Sequence, residues 1–168
     1  MTESAHELDE RMMGLALDAA REAQRIGEVP IGAVVYRGET LLGRAHNRRE
    51  TDRDPAAHAE LLAIREAARA IGDWRLEGCS IAVTLEPCPM CAGLIVNARL
   101  DRLVFAAPDP KAGAVESLFE LCGDARLNHR VREIRAGVRA PEAGGLLRDF
   151  FRGLRARRRA EGPPGRDA

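Results

Sequence analysis

The sequence predicts an α/β fold in which a central, mixed five-stranded sheet lies between layers of helices. Three observations carry that expectation. Segments with helical apolar spacing alternate along the chain with short apolar runs. Two of those runs, Ile31 to Tyr36 and Thr40 to Ala45, are separated only by a turn, "RGE", and so pair as a hairpin. A third, Leu103 to Ala107, is apolar throughout, as suits a strand covered on both faces.

At the N-terminus, Ser4 and Glu7 form the pattern of a capping box. Leu8, Met12, Leu15, Ala16, Ala19, Ala23 and Ile26 then recur at helical spacing up to Gly27, a natural stop. After the hairpin, Asn47 to Pro55 reads as a charged loop. Ala57 to Ile71 reads as a helix with Leu61, Leu62, Ile64 and Ala68 on its apolar face. Ser80 to Leu85 is a strand, Met90 to Ala98 a short helix, and Leu103 to Ala107 the next strand. "PDPKAG" is a loop, Ser117 to Leu121 a helical turn and Val131 to Arg135 a shorter strand. Leu146 to Arg159 is the last helix, and "GPPGRDA" reads as a frayed tail. No repeat or linker divides the chain, whose 168 residues fit one domain. Residues 1–160 are expected to form that domain and 161–168 a disordered tail.

Composition narrows the possible functions. No stretch is long and apolar enough for a membrane span, and the N-terminus lacks an apolar signal region, so a cytoplasmic location is expected. Four cysteines in a chain of this length do not make a disulfide scaffold; in a reducing compartment a C-x-x-C pair points to metal or redox chemistry. The 26 basic and 26 acidic residues cancel, yet they are unevenly placed. "RDFFRGLRARRR", Arg148 to Arg159, is dense in arginine with Asp149 as its one acid, while acids gather between Glu3 and Glu10. A neutral chain can therefore present a basic surface to nucleic acid, although a solvated terminal helix would have the same composition.

The C-x-x-C pair is Cys88 and Cys91, flanked by Pro87 and Pro89 and placed at the start of a helix. That spacing puts both sulfurs on one side, at the end of the helix dipole that favours thiolate. Upstream, "HAE" places His58 and Glu60 at the start of another helix. Two thiolates and an imidazole are a zinc donor set. A structural zinc site has four protein ligands, whereas a catalytic one leaves a position for water. The motif offers three, and Cys79 or Cys122 would have to supply the fourth; Cys79 reads more naturally as a buried apolar side chain. A redox role for the pair leaves the histidine pattern unexplained. Glu60, beside the metal rather than on it, suits a proton carrier for a metal-activated water.

H-x-E followed by P-C-x-x-C is the signature of zinc-dependent nucleobase deaminases. The wider segments "GEVPIGAVV", "HNRRETDRDPAAHAE", "TLEPCPMCAGLIVNARLDRLVFAAPDPKAGAVESL", "LNHRV" and "LLRDFFR" narrow the resemblance. Across nearly its whole length the chain resembles bacterial tRNA-specific adenosine deaminases, the TadA family within the cytidine/deoxycytidylate deaminase superfamily. The resemblance implies a three-layer α/β/α cytidine-deaminase-like fold, one Zn2+ per subunit, a homodimer, and hydrolysis of adenosine to inosine at the wobble position of a tRNA anticodon, with tRNA-Arg as substrate. It assigns Asn47 to the flipped base, Glu28 and Ile31 to the pocket wall, and Asp109 to the sugar and backbone of the target nucleotide. Asn128 matches another substrate-contacting position, and Lys111 is placed to meet phosphate or simply to be solvated. Adjacent residues in a helix diverge, so one of Phe150 and Phe151 faces the core and the other is placed to stack on an unpaired base; partial burial of both in helix packing is the alternative. Pro108 and Pro110 around Asp109 depart from the family, which commonly has a more flexible or basic neighbour there. Two other readings fit the metal motif: a free-base guanine or cytosine deaminase, and a non-catalytic zinc-stabilised RNA-binding module.

Overall fold

A computed structural model describes residues 4–161 of the chain. The predicted "GPPGRDA" tail therefore lies outside the described residues. The elements are α1 (Ala5–Arg25), β1 (Gly32–Arg37), β2 (Thr40–His46), α2 (Arg49–Asp52), α3 (Ala59–Ile71), β3 (Ser80–Leu85), α4 (Pro89–Asn97), β4 (Arg102–Ala107), a 3-10 turn at Leu121–Gly123, β5 (Glu133–Ala136) and α5 (Ala140–Glu161). The strands form one five-stranded sheet in the order β2-β1-β3-β4-β5. β1 is antiparallel to β2 and β3, while β3, β4 and β5 run parallel. The expected mixed sheet between helical layers is what the chain forms.

Strand alternation explains the layers. Ala33, Val35, Ile81, Val83, Leu103 and Phe105 point to one face and pack with Ala63, Ala67, Ala92 and Ile95 of α3 and α4. Val34, Tyr36, Ala82, Val104 and Ala106 point to the other and pack with Met12, Met13, Ala16 and Leu17 of α1 and Ala143 of α5. The helices lie very close to the sheet. A Cβ on Gly32 would sit 2.0 Å from the Ala16 carbonyl oxygen, and one on Gly43 would sit 2.2 Å from that of Ala63.

The predicted capping box at Ser4 and Glu7 is present, with the Ser4 hydroxyl oxygen accepting from the Glu7 N–H at 3.2 Å and the Ser4 N–H donating to Glu7 Oε2 at 2.8 Å. α1 also buries a charge that periodicity did not mark. Asp9 is fully buried. Its carboxylate receives Arg102 through both oxygens, one at 2.7 Å, and Arg135 at 2.5 Å, which ties α1 to β4 and β5. Arg102 also reaches the Tyr36 hydroxyl at 3.3 Å and Glu133 at 3.0 Å.

Several boundaries differ from expectation, each for a local reason. α3 begins at Ala59 because His58 is its extended N-cap, and its buried stripe is Ala59, Glu60, Ala63, Ile64 and Ala67, leaving Leu61 and Leu62 half-buried. The charged loop after the hairpin contains the short helix α2, closed by Arg53 in the left-handed region. The 3-10 turn falls at Leu121–Gly123, and the final strand is shifted to Glu133–Ala136. α5 starts at Ala140, well before Leu146. Pro141 is at home in a first turn, and burial of Ala143 offsets the poor helix propensity of Gly144 and Gly145. No helix among the described residues is long and apolar enough to cross a membrane.

Candidate metal centre and active site

β3 and β4 are parallel, and the segment beyond the C-terminal end of β3 builds the site, as is usual for open α/β sheets. Past Leu85 the pairing continues, since the Glu86 N–H donates to the Ala107 carbonyl at 2.8 Å. The chain then turns through Pro87 into Cys88, the N-cap of α4, with Pro89 in the first helical turn. Cys91 lies in that same turn. His58 is the N-cap of α3, with φ −77° and ψ 150°. Residues two apart inside a helix diverge, but His58 is still extended where Glu60 is already helical, so that divergence does not apply to this pair. Both helices thus point their positive ends at one spot.

There, the ligand atoms of His58, Cys88 and Cys91 all lie within 4.8 Å of one another. His58 Nδ1 is 3.7 Å from Cys88 Sγ and 3.5 Å from Cys91 Sγ. A tetrahedral zinc with bonds of about 2.0–2.1 Å to nitrogen and 2.3 Å to sulfur would separate those donors by about 3.6 Å. The residues therefore fit a metal ion of this kind without moving. Among the described residues no fourth histidine, cysteine or carboxylate joins the group. Cys79 and Cys122 are buried elsewhere, each with its thiol directed to a backbone carbonyl 4.0 Å away, of Glu77 and Ala92 respectively. The cluster has the three-ligand form of a catalytic site rather than the four-ligand form of a structural one.

The electrostatics match. The hydrogen bond with Cys91 pulls the Cys88 thiol down to about 4 against the opposing effect of burial, and His58 adds to the lowering. The same contact raises Cys91, as does its burial. Hydrogen bonding with Cys88 raises His58. Glu60 is 4% exposed, and burial pushes its carboxyl up to about 7.

His58, Glu60 and Cys88 line a cavity of about 310 Å³, and Ile31, Asn47, Asp109 and Phe151 line it too. That volume sits at the small end of ligand pockets, about 300–1,000 Å³. The other sequence-predicted residues surround it in different ways. Glu28, 1% exposed, stands behind Asn47. Its carboxylate accepts from Asn47 Nδ2 at 3.2 Å and from the Thr51 N–H at 2.6 Å, while Asn47 Oδ1 accepts from the Arg49 N–H at 3.3 Å. Lys111 is outside the cavity, in an adjoining groove shared with Arg148, Arg152 and Arg155. Phe151 lines both the cavity and the groove. It is 40% exposed while Phe150 is 8% exposed, and the two rings meet edge-on with centroids 5.4 Å apart.

Asn128 is not brought to the cavity. It is exposed and accepts from Arg99 Nη1 at 3.0 Å, beyond the opposite end of α4 from Cys88. Neighbouring His129 is half-buried and its Nε2 donates to the Leu100 carbonyl at 2.8 Å. Sequence reasoning missed Val29, Arg49, Leu85, Glu86 and Ala112, all of which line the cavity. Only Glu86 carried a usable signal: an acid directly before the P-C of the metal motif, at the end of an apolar strand.

Known proteins resemble this chain in sequence and fold. A sequence model of the MafB19-like deaminase family matches residues 7–155. The tRNA-specific adenosine deaminase of Bacillus subtilis is 49% identical over 152 residues, covering 90% of this chain and 94% of that protein. A solved structure from studies of A-to-I editing by tRNA:A34 deaminases superposes with a TM-score of 0.78 at 42% identity, covering 82% of this chain and 99% of that one. A guanine deaminase from Nitrosomonas europaea is more distant, with a TM-score of 0.71 at 26% identity over 84% of this chain and 83% of that one. With identity this high over nearly the full length of its relatives, and with a three-ligand cluster beside a buried carboxyl, the chain belongs to the hydrolytic deaminases of the tRNA-specific adenosine deaminase family.

Proposed function

We propose that this enzyme converts adenosine to inosine at the wobble position of a tRNA anticodon, with the arginine-accepting tRNA as its main substrate and one zinc ion per subunit. The observation that carries the reading is the three-ligand cluster beside buried Glu60, in a cavity that opens through Phe151 onto an arginine-lined groove. A unit of that shape takes one extruded base and leaves the flanking strand outside. An anticodon loop offers bases that are already unpaired, which lowers the cost of extrusion.

His58, Cys88 and Cys91 would hold the zinc, which when bound would supply the Lewis acidity that lowers the pKa of water toward neutrality. Glu60 takes the proton of the attacking water and returns protons to the ring nitrogen and the departing ammonia. Asn47 holds the base edge, with Glu28 fixing the direction of its amide and Ile31 forming the wall. Asp109 spends Oδ1 on the N–H groups of Lys111 and Ala112 and turns Oδ2 to the 2′-hydroxyl, a group that separates RNA from DNA. Lys111 meets phosphate, Phe151 stacks on a neighbouring base and Phe150 seats the helix. A homodimer lets a second subunit contribute RNA contacts, Asn128 among them. The exposed apolar side chains Met90, Leu118 and Phe119 are available for that interface. A tRNA substrate puts the enzyme in the cytoplasm.

Incubation with in-vitro transcribed tRNAs followed by inosine mapping tests the proposal. The expected result is inosine at the first anticodon nucleotide of tRNA-Arg, formed more slowly as salt rises. Turnover of free guanine or cytosine without inosine in RNA would replace this reading with the free-base one. Binding of tRNA with no deamination would favour a non-catalytic module. The two phenylalanines separate cleanly. Phe151→Ala is expected to raise KM for an anticodon stem-loop about tenfold, the value of one lost base stack. Phe150→Ala is expected to lower stability instead, by about 3 kcal/mol, read by denaturant unfolding.

A further inference from the structure

We infer that Glu86 is a positioning residue that clamps the substrate-facing loop, residues 108–117, to the strand end that carries the metal ligands. Glu86 is 2% exposed, yet no cation pairs with it among the described residues. Its partners are five N–H or O–H donors from a single loop. Oε1 accepts from the N–H groups of Val115 at 3.2 Å, Glu116 at 2.8 Å and Ser117 at 2.9 Å. Oε2 accepts from the Asp109 N–H at 2.9 Å and from the Ser117 hydroxyl. Both ends of the loop are thereby tied to one carboxylate.

The loop needs such a partner. Residues 108–117 form no strand or helix, so their backbone donors lack a ladder to join. An ionised carboxylate only accepts, and it offers about four lone-pair sites, so it can gather several donors that no single backbone carbonyl could. The packing around it is tight: a Cβ on Gly113 would lie 2.3 Å from Glu86 Cδ and Oε2. The backbone of Glu86 is itself fixed to Ala107, and the next residue accepts from the loop as well, with the Ala114 N–H donating to the Pro87 carbonyl at 2.8 Å.

What the clamp holds is functional surface. Asp109 and Ala112 line the cavity with His58, Glu60 and Cys88, and Lys111 lines the basic groove. Glu86 is part of the cavity wall too, but both its carboxylate oxygens are taken up by the loop, so it acts on substrate by positioning these residues. Its loss therefore acts on substrate grip and leaves the metal centre in place. The kinetic part of this expectation rests on the proposed tRNA substrate; the structural part does not.

The test uses the full-length, metal-loaded protein. Glu86→Gln keeps size but turns an amide N–H2 against donors. Amide hydrogen exchange across 109–117, measured without substrate, is expected to quicken about tenfold, the scale of one charge-assisted hydrogen bond. Metal content by elemental analysis is expected to stay unchanged. KM for an anticodon stem-loop is expected to rise about tenfold, with kcat changing by less than about threefold. Gly113→Ala, which forces the same carboxylate aside from the loop side, is expected to reproduce all three results. The double variant is expected to fall short of the sum. Faster exchange with KM unchanged would reduce Glu86 to a structural role and overturn the inference. Unchanged exchange, or a fall in kcat with loss of metal, would overturn it equally. If the unaltered enzyme fails to deaminate the stem-loop, the tRNA reading fails alone, and the exchange measurement still decides the clamp.

Discussion

Glu60→Gln is expected to bind the metal and the RNA as the unaltered enzyme does and to deaminate about 10²–10⁴-fold more slowly, the usual range for removing a general acid–base. The carboxyl is buried in the cavity wall, and burial pushes it up to about 7. A group poised near neutrality can both accept and return a proton, as the reaction requires. Glutamine keeps the shape and can do neither. Single-turnover deamination of a stem-loop, with metal content measured on the same sample, isolates the effect. Cys88→Ala provides the contrast, since it should lose metal and activity together. If the glutamine variant retained activity within about tenfold of normal while metal-loaded, proton transfer by Glu60 could not be the mechanism.

The second large effect concerns stability. Asp9→Asn is expected to destabilise the fold by about 3 kcal/mol, because it leaves the partly buried guanidinium groups of Arg102 and Arg135 facing an amide instead of a fully buried carboxylate. For a chain of this size that corresponds to a drop in Tm of roughly 10 °C. Burial by itself would raise the Asp9 carboxyl, but hydrogen bonds from Arg102 and Arg135 outweigh it and hold the group below its ordinary value of 3.8. That direction sets the sign of the pH dependence. The ionised form is favoured in the folded state, so the contribution is complete above an ordinary aspartate pKa of about 3.9 and is lost as pH falls through the lower folded value. Urea unfolding at pH 7 and at pH 3 should therefore show the stability gap between the unaltered protein and the Asp9→Asn variant shrinking in acid. A gap that widened in acid would contradict the ion-pair account.

The sequence made some of this plain for physical reasons that can be named. Helical spacing over α1, the capping box at Ser4, and the uninterrupted apolar run of β4 are local signals, and local signals survive in a linear reading. The cluster of His58, Cys88 and Cys91 was legible because its chemistry is dense in a short motif, although the motif alone left a fourth donor open; Cys79 and Cys122 lie buried away from the cluster. What stayed hidden depends on contacts between distant segments. Asp9 reads as one more acid in an acidic stretch until Arg102 and Arg135 fold against it. Glu86 gains its meaning from a loop more than twenty residues away. The start of α5 was obscured because Pro141, Gly144 and Gly145 are breakers by propensity, and only packing against α1 overrules them.

α5 carries one more consequence. Phe150 and Phe151 are adjacent, one in the core and one at the mouth of the cavity. Successive helical residues are rotated by about 100°. Deleting a single residue in the stretch Gly144 to Asp149 would therefore turn Phe151 inward and bring Arg152, not a ring, to the mouth. Spacing along this segment is under as strict a constraint as the identity of either aromatic, so variation here should come as substitution and scarcely ever as insertion or deletion.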